Sequence, residues 1–268
     1  MNDVPTNDAP AAELLIEKGP RAGVVSLILN RPSRKNALTR TLVTALGDAL
    51  HSLSQDNSVR VIVVRGAGGA FCSGADLSTI VNAKDENLEQ RISEFHRLVT
   101  LITGAPQPVI AVVDGPAVGF GADLALCCDM RLFSVEGYLE EGFVKIGLMP
   151  DGGGTYFMPR FAGARAFEYL SMGTRLPASQ CAHLGIANAV VEHSELEARM
   201  ELWTSTLAQA APLAVKQIKQ AVRKTDRALL HDALANEMLG QTTLLRSEDF
   251  QEGVRAFLEK RPPQFSGS

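Results

Sequence analysis

Two aspartates stand where a carboxyl group could do acid–base work. Asp123 follows Gly119-Phe120-Gly121, which opens a helix running on through Leu124, Leu126 and Cys128. Glycines on either side of Phe120 let the backbone approach a ligand closely. The first amides of a helix have no internal partner and point outward at the positive end of its dipole, so this junction suits an anion or an oxyanion. Asp123 falls in the first turn, roughly on the face of Phe120. It could also serve only to stabilise the helix N-terminus. Asp151 lies in Pro150-Asp151-Gly152, a turn signal in which a carboxylate is a turn former or a reacting group. Ser73-Gly74-Ala75 is a second glycine-bearing turn, just past a buried strand, and sites in open α/β sheets form at such carboxyl ends. Arg31, Arg34 and Lys35 crowd one loop, either as solvated charge or facing a ligand phosphate.

Other chemistries are disfavoured. After the strand Val59–Val64 a dinucleotide fingerprint would need a third glycine where Phe71 stands. There is no G-x-x-x-x-G-K-[ST] phosphate loop and no G-x-S-x-G nucleophile elbow. Cys72, Cys127, Cys128 and Cys181 show no metal-ligand spacing with the five histidines, so no metal is expected. They read as reduced core residues of a cytoplasmic protein. A net charge of -4 points away from nucleic acid, and no apolar run is long enough for a membrane helix.

The elements that must position these residues follow from periodicity. At 268 residues and 46% hydrophobic, the chain can bury a sizeable core. Leu14–Ile16 and Val24–Leu29 read as a hairpin around Gly19–Gly23. Thr39 caps a helix whose Leu42, Leu46, Ala49 or Leu50, and Leu53 share a face. Leu88–Ile102 is a second amphipathic helix, and Ala105-Pro106-Gln107-Pro108 breaks it before the central strand Val109–Val113. Asp114-Gly115-Pro116 stops that strand. Met130–Phe133 and Asn188–Val191 are further short strands. Helices follow at Arg165–Met172, Ala178–Leu184, Leu196–Gln209, Leu213–Lys224, Leu229–Arg246 and Glu248–Lys260. The predicted organisation is a disordered tail over 1–10, an α/β core carrying the active site over 11–195, and a helical region over 196–268.

The motifs N-R-P-x-x-x-N-A-L at Asn30–Leu38, F-C-S-G-A-D-L at Phe71–Leu77 and D-G-x-A-x-G-F-G-A-D-L-A at Asp114–Ala125 resemble the enoyl-CoA hydratase/isomerase (crotonase) family. So do G-L-M-P-D-G-G-G-T at Gly147–Thr155 and E-G-V-R-A-F-L-E-K-R at Glu252–Arg261. The run F-V-K-I-G-L-x-P-D and the C-terminus are most similar to the branch holding the 1,2-epoxyphenylacetyl-CoA isomerase. The resemblance implies a spiral of β-β-α units with a C-terminal helical region that builds a homotrimer or a dimer of trimers. It implies an acyl-CoA thioester as ligand, with coenzyme A entering as part of the substrate and no separate cofactor. It implies an oxyanion hole from the backbone amides of Ala75 and Phe120, to hold the enolate formed when a proton leaves the carbon beside the thioester. Further contacts to substrate or coenzyme A are implied at Arg31, Arg34, Lys35, Ser73, Gly74, Asp76, Leu77, Gly121, Phe143, Phe257 and Lys260.

Departures from the family decide the reaction expected. Hydratases of the family add water with two glutamates. Asp123 matches the first and Phe143, which cannot exchange a proton, matches the second. Asp151 matches an essential aspartate of the epoxide-isomerase branch and of the dehalogenases. Glu140 and Glu141 could supply a second acid from a rearranged loop. The first expectation is an isomerase of fatty or aromatic acid degradation, moving a proton with Asp123, or second Asp151. A hydratase, a hydrolase or dehalogenase with Asp151 as nucleophile, and a non-catalytic acyl-CoA-binding protein are the alternatives.

Overall fold

The computed structural model describes residues 12–78 and 88–268. The predicted tail, 1–10, lies outside the described residues. Strands β1 (Leu14–Lys18) and β2 (Val24–Leu29) form the expected antiparallel hairpin. β2 continues in parallel with β3 (Val61–Gly66), β4 (Val109–Val113), β6 (Met130–Ser134) and β9 (Ala189–Val191), giving a six-stranded sheet in the order β1-β2-β3-β4-β6-β9. A smaller sheet holds β5 (Pro116–Val118), β7 (Tyr138–Glu140) and β8 (Arg175–Pro177). The helices are α1 (Arg40–Gln55), α2 (Leu88–Gly104), α3 (Phe120–Cys127), α4 (Gly154–Ala162), α5 (Ala166–Met172), α6 (Ala178–His183), α7 (Leu196–Gln209), α8 (Pro212–Lys224), α9 (Arg227–Leu244) and α10 (Glu248–Glu259).

Parallel strands are covered on both faces, which is why they read as unbroken apolar runs. Side chains alternate between faces, so Ile62, Val64, Val109 and Ala111 enter the main core with α1, α2 and α3. Val61, Val63, Ile110 and Val112 enter a second core against Leu196 of α7, with Trp203 packed on it. Thr39 caps α1 as predicted, its side chain accepting from the Leu42 amide.

The α/β spiral expected from the sequence is the architecture observed. Each turn lays one strand in the large sheet, then a shorter extended segment in a second layer, then a helix. Those short segments stack through paired residues: Leu38 on Ala75, Cys72 on Ala117, and Val118 on Glu140. Three of them, β5, β7 and β8, are absent from the sequence reading, as is α4. Pro116 does not end the extended chain but starts β5 after a bend at Gly115, whose φ is 86°. Each missing strand has three residues and pairs with distant ones, so local periodicity is too short to show it. α4 starts in a glycine run, has Pro159 inside it and lacks a side-chain cap of its own.

Candidate active site

The second layer brings Ala75 and Phe120 side by side. Leu38 donates its amide to the Gly74 carbonyl (2.8 Å) and accepts from the Asp76 amide (3.0 Å). Because the residues flanking Ala75 take both bonds to Leu38, the Ala75 amide points the other way, into a cavity. One turn later Val118 donates to Cys72 and Gly119 donates to Glu140, both at 2.9 Å, which sets where α3 begins. Phe120 is its first residue, so its amide has no partner within the helix. Among the described residues neither amide donates to a protein acceptor. Gly74 makes the approach possible: its φ is 87°, and a Cβ there would sit 2.8 Å from the Val118 carbonyl and 3.4 Å from the Phe120 amide.

The cavity has a volume of about 190 Å³. Of the residues singled out from sequence, Ser73, Gly74, Ala75, Leu77, Phe120, Phe143, Asp151 and Phe257 line it. Larger clefts of about 310 and 600 Å³ flank α8, but neither reaches these amides or carboxyls. The cavity wall is mainly apolar, with the Phe120 ring packed on Phe95 at a centroid distance of 4.2 Å.

Four carboxyls surround the cavity and differ in their surroundings. Asp151 lies in the wall, where its Oδ2 accepts from the Gln241 amide (2.9 Å) and its Oδ1 has no partner. Burial pushes its pKa up to about 7, against the pull of the Gln241 bond. Glu140 also reaches the wall, but Lys145 (2.7 Å) and Arg175 (2.9 Å) hold it. Burial alone would raise that group; the two cations outweigh it and keep the carboxyl below its ordinary range. Asp123 does not line the cavity. It is wholly buried behind the loop 150–154, against Gly152 and Gly154, beside an equally buried Glu141. None of the four oxygens of Asp123 and Glu141 makes a hydrogen bond of good geometry to a described donor, although the Gly152 amide faces Asp123. Burial first, and then the neighbouring carboxyls, push both groups well above the ordinary carboxylate range.

The basic loop divides. Arg31 is paired with Glu13 and with Asp76, both at 3.0 Å, and donates to the Ala37 carbonyl. Arg31 and Asp76 thus brace the loop instead of lining the cavity. Arg34 and Lys35 are exposed, and their carbonyls accept from the hydroxyl and amide of Ser73, which places both at the rim. Gly121 is a packing residue: a Cβ there would overlap the Cys72 carbonyl. Phe257 is 62% exposed on α10 and reaches the wall, while Lys260 ends that helix in a left-handed conformation.

Residues 19–268 match the sequence profile of the enoyl-CoA hydratase/isomerase family. The chain belongs to that family. It is 37% identical over 247 residues to a probable enoyl-CoA hydratase of Rhodobacter capsulatus, covering 91% of this chain and 95% of that one. It is 35% identical over 250 residues to the 1,2-epoxyphenylacetyl-CoA isomerase of Escherichia coli, again covering 91% and 95%. Among solved structures, an enoyl-CoA hydratase from Mycobacterium avium subsp. paratuberculosis superposes with a TM-score of 0.87 at 36% identity, covering 96% of this chain and all of that one.

Within this hydratase/isomerase scaffold two buried residues escaped the sequence reading. Glu237 and Gln241, one turn apart on α9, face the 149–155 loop. The Glu237 carboxylate accepts from the amides of Gly153 (2.8 Å) and Thr155 (2.9 Å) and from the Thr155 hydroxyl, capping α4 from outside. The signal was present: Leu230, Leu234, Glu237 and Gln241 repeat at core-facing spacing, with polar groups at two positions that ought to be apolar.

Proposed function

We propose that this chain is an acyl-CoA isomerase that moves a double bond, or opens a ring epoxide, through a thioester enolate. The reading rests on one observation. The cavity wall presents two unengaged backbone amides and a carboxyl raised to about 7, Asp151; the family resemblance adds that Phe143 stands where hydratases carry their second glutamate. In this reading the amides of Ala75 and Phe120 receive the enolate oxygen. Ionised Asp151 takes a proton from the carbon beside the thioester and returns it two carbons away, so one carboxyl group suffices. Asp123, placed first from sequence, becomes second because it lies behind the loop. Arg34 and Lys35 at the rim, with Phe257 and Lys260, are proposed contacts for coenzyme A. Cytoplasmic location and assembly into trimers or hexamers belong to the same proposal.

One observation favours a hydratase instead: Asp123 and Glu141 are a second pair of acids, a few residues from the cavity. Offering 3-enoyl-CoA and 2-enoyl-CoA in deuterated water separates the two. Double-bond migration with deuterium uptake is expected, and Asp151→Asn should lower that rate about 10²–10⁴-fold with little change in acyl-CoA affinity. Formation of 3-hydroxyacyl-CoA, lost on Asp123→Asn or Glu141→Gln but kept in Asp151→Asn, would replace this reading with the hydratase.

A further inference from the structure

Asp151 is anchored from far along the chain. Gln241 is 1% exposed, and its amide makes two bonds of opposite sense. The Met149 backbone amide donates to Oε1 at 3.2 Å, and Nε2 donates to Asp151 Oδ2 at 2.9 Å. The first bond decides the second. A backbone N–H can only donate, so the carbonyl oxygen of the side chain must face Met149, and the NH₂ is left for the carboxylate. Gly240 lets α9 come this close, since a Cβ there would run into the Met149 sulfur. One turn earlier, Glu237 fixes Gly153 and Thr155. The carboxyl at 151 is therefore gripped on both sides of the loop by one helix face some 90 residues away.

We propose that Gln241 is a positioning residue for Asp151: it holds Oδ2, fixes the carboxyl plane and leaves Oδ1 as the atom that exchanges protons with the substrate. This rests on the reading of Asp151 as proton shuttle. An amide donor favours the ionised carboxylate, so Gln241 also keeps Asp151 a usable base at neutral pH. The other groups facing Asp151 are Arg91 and His96 of α2, Glu237 of α9, and the Asp123–Glu141 pair. None of them is changed in the variants below.

The test is a ¹³C-carboxyl NMR titration of aspartate-labelled protein, with the Asp151 resonance identified by its loss in Asp151→Asn. Gln241→Met has similar volume and no amide. Gln241→Leu, also apolar and near in volume, serves where the methionine variant does not fold. The Asp151 midpoint should rise by about one unit in either variant, a tenfold loss of carboxylate below it. The acid limb of kcat/KM should move by the same amount, with KM within threefold of the parent. A midpoint unmoved in a folded variant overturns the proposal. A midpoint that rises while the pH–rate profile stays put upholds the hold of Gln241 on Asp151 and removes Asp151 from turnover.

Discussion

Buried carboxyl oxygens without donors are costly when ionised, and both oxygens of Asp123 and Glu141 and the Oδ1 of Asp151 lie in one neighbourhood without one. Asp123, Glu141 and Asp151 all titrate above their ordinary range because burial penalises the charged form. The consequence for stability has a definite sign. In the unfolded chain these groups lose their protons near pH 4. In the folded chain they hold them longer, so folding is favoured at acid pH and loses that advantage as pH rises through the folded values, about 7 for Asp151. Thermal melts should therefore show Tm falling from pH 5 to pH 8, and Asp123→Asn should flatten the slope by removing one titrating member. A slope unchanged in Asp123→Asn would mean that this pair does not carry the dependence. The cations of the rim divide by the same reasoning. Arg31 is committed to Glu13 and Asp76, so Arg31→Ala should lower stability, whereas Arg34→Ala with Lys35→Ala should weaken acyl-CoA binding, measured by calorimetry, with little effect on Tm.

At the scale of elements, the second layer of short strands does the positioning. Its segments are too short to be stable alone, and the stacking of one turn on the next supplies their hydrogen bonds. α4 depends on the same kind of non-local help. Its N-terminal amides are satisfied by Glu237, whereas α1 has its own cap in Thr39. The two arrangements should respond differently to loss of the capping group. Thr39→Ala is expected to cost about 1 kcal/mol in a denaturant titration, the ordinary value for a helix cap. Glu237→Ala should cost more, about 2–4 kcal/mol, because it strands buried donors on Gly153 and Thr155. Equal losses in the two variants would show that α4 finds other partners.

Over the whole molecule, the C-terminal helices serve two different surfaces. α7 closes the second face of the large sheet, and α9 grips the Asp151 loop. α8 instead leaves Ile218 and Val222, one turn apart, 63% and 69% exposed. This is the surface through which the proposed assembly would make contact. The proposed assembly through the helical region predicts a trimer or hexamer in sedimentation at micromolar concentration, and dissociation when Ile218 and Val222 are both changed to lysine. A stable monomer of the parent protein would exclude that assembly.

The sequence alone determined what is local or carried by pattern. Apolar runs located β2 and β4, Thr39 and helical spacing located α1, and the ordered motifs between Asn30 and Arg261 identified the family. It also marked Ala75 and Phe120, because glycines beside a strand-to-helix junction are a local signal. Tertiary structure decided which carboxyl meets the cavity. Asp123 and Asp151 both sit at glycine-rich turns, and nothing within ten residues of either says that one backs onto Gly152 and Glu141 while the other reaches the wall. The separation depends on how the loop 149–155 is drawn against α9, and the groups that draw it, Glu237 and Gln241, lie more than 80 residues away along the chain. A carboxyl takes its proton affinity from the atoms packed around it, and those atoms are brought together only when the chain has folded.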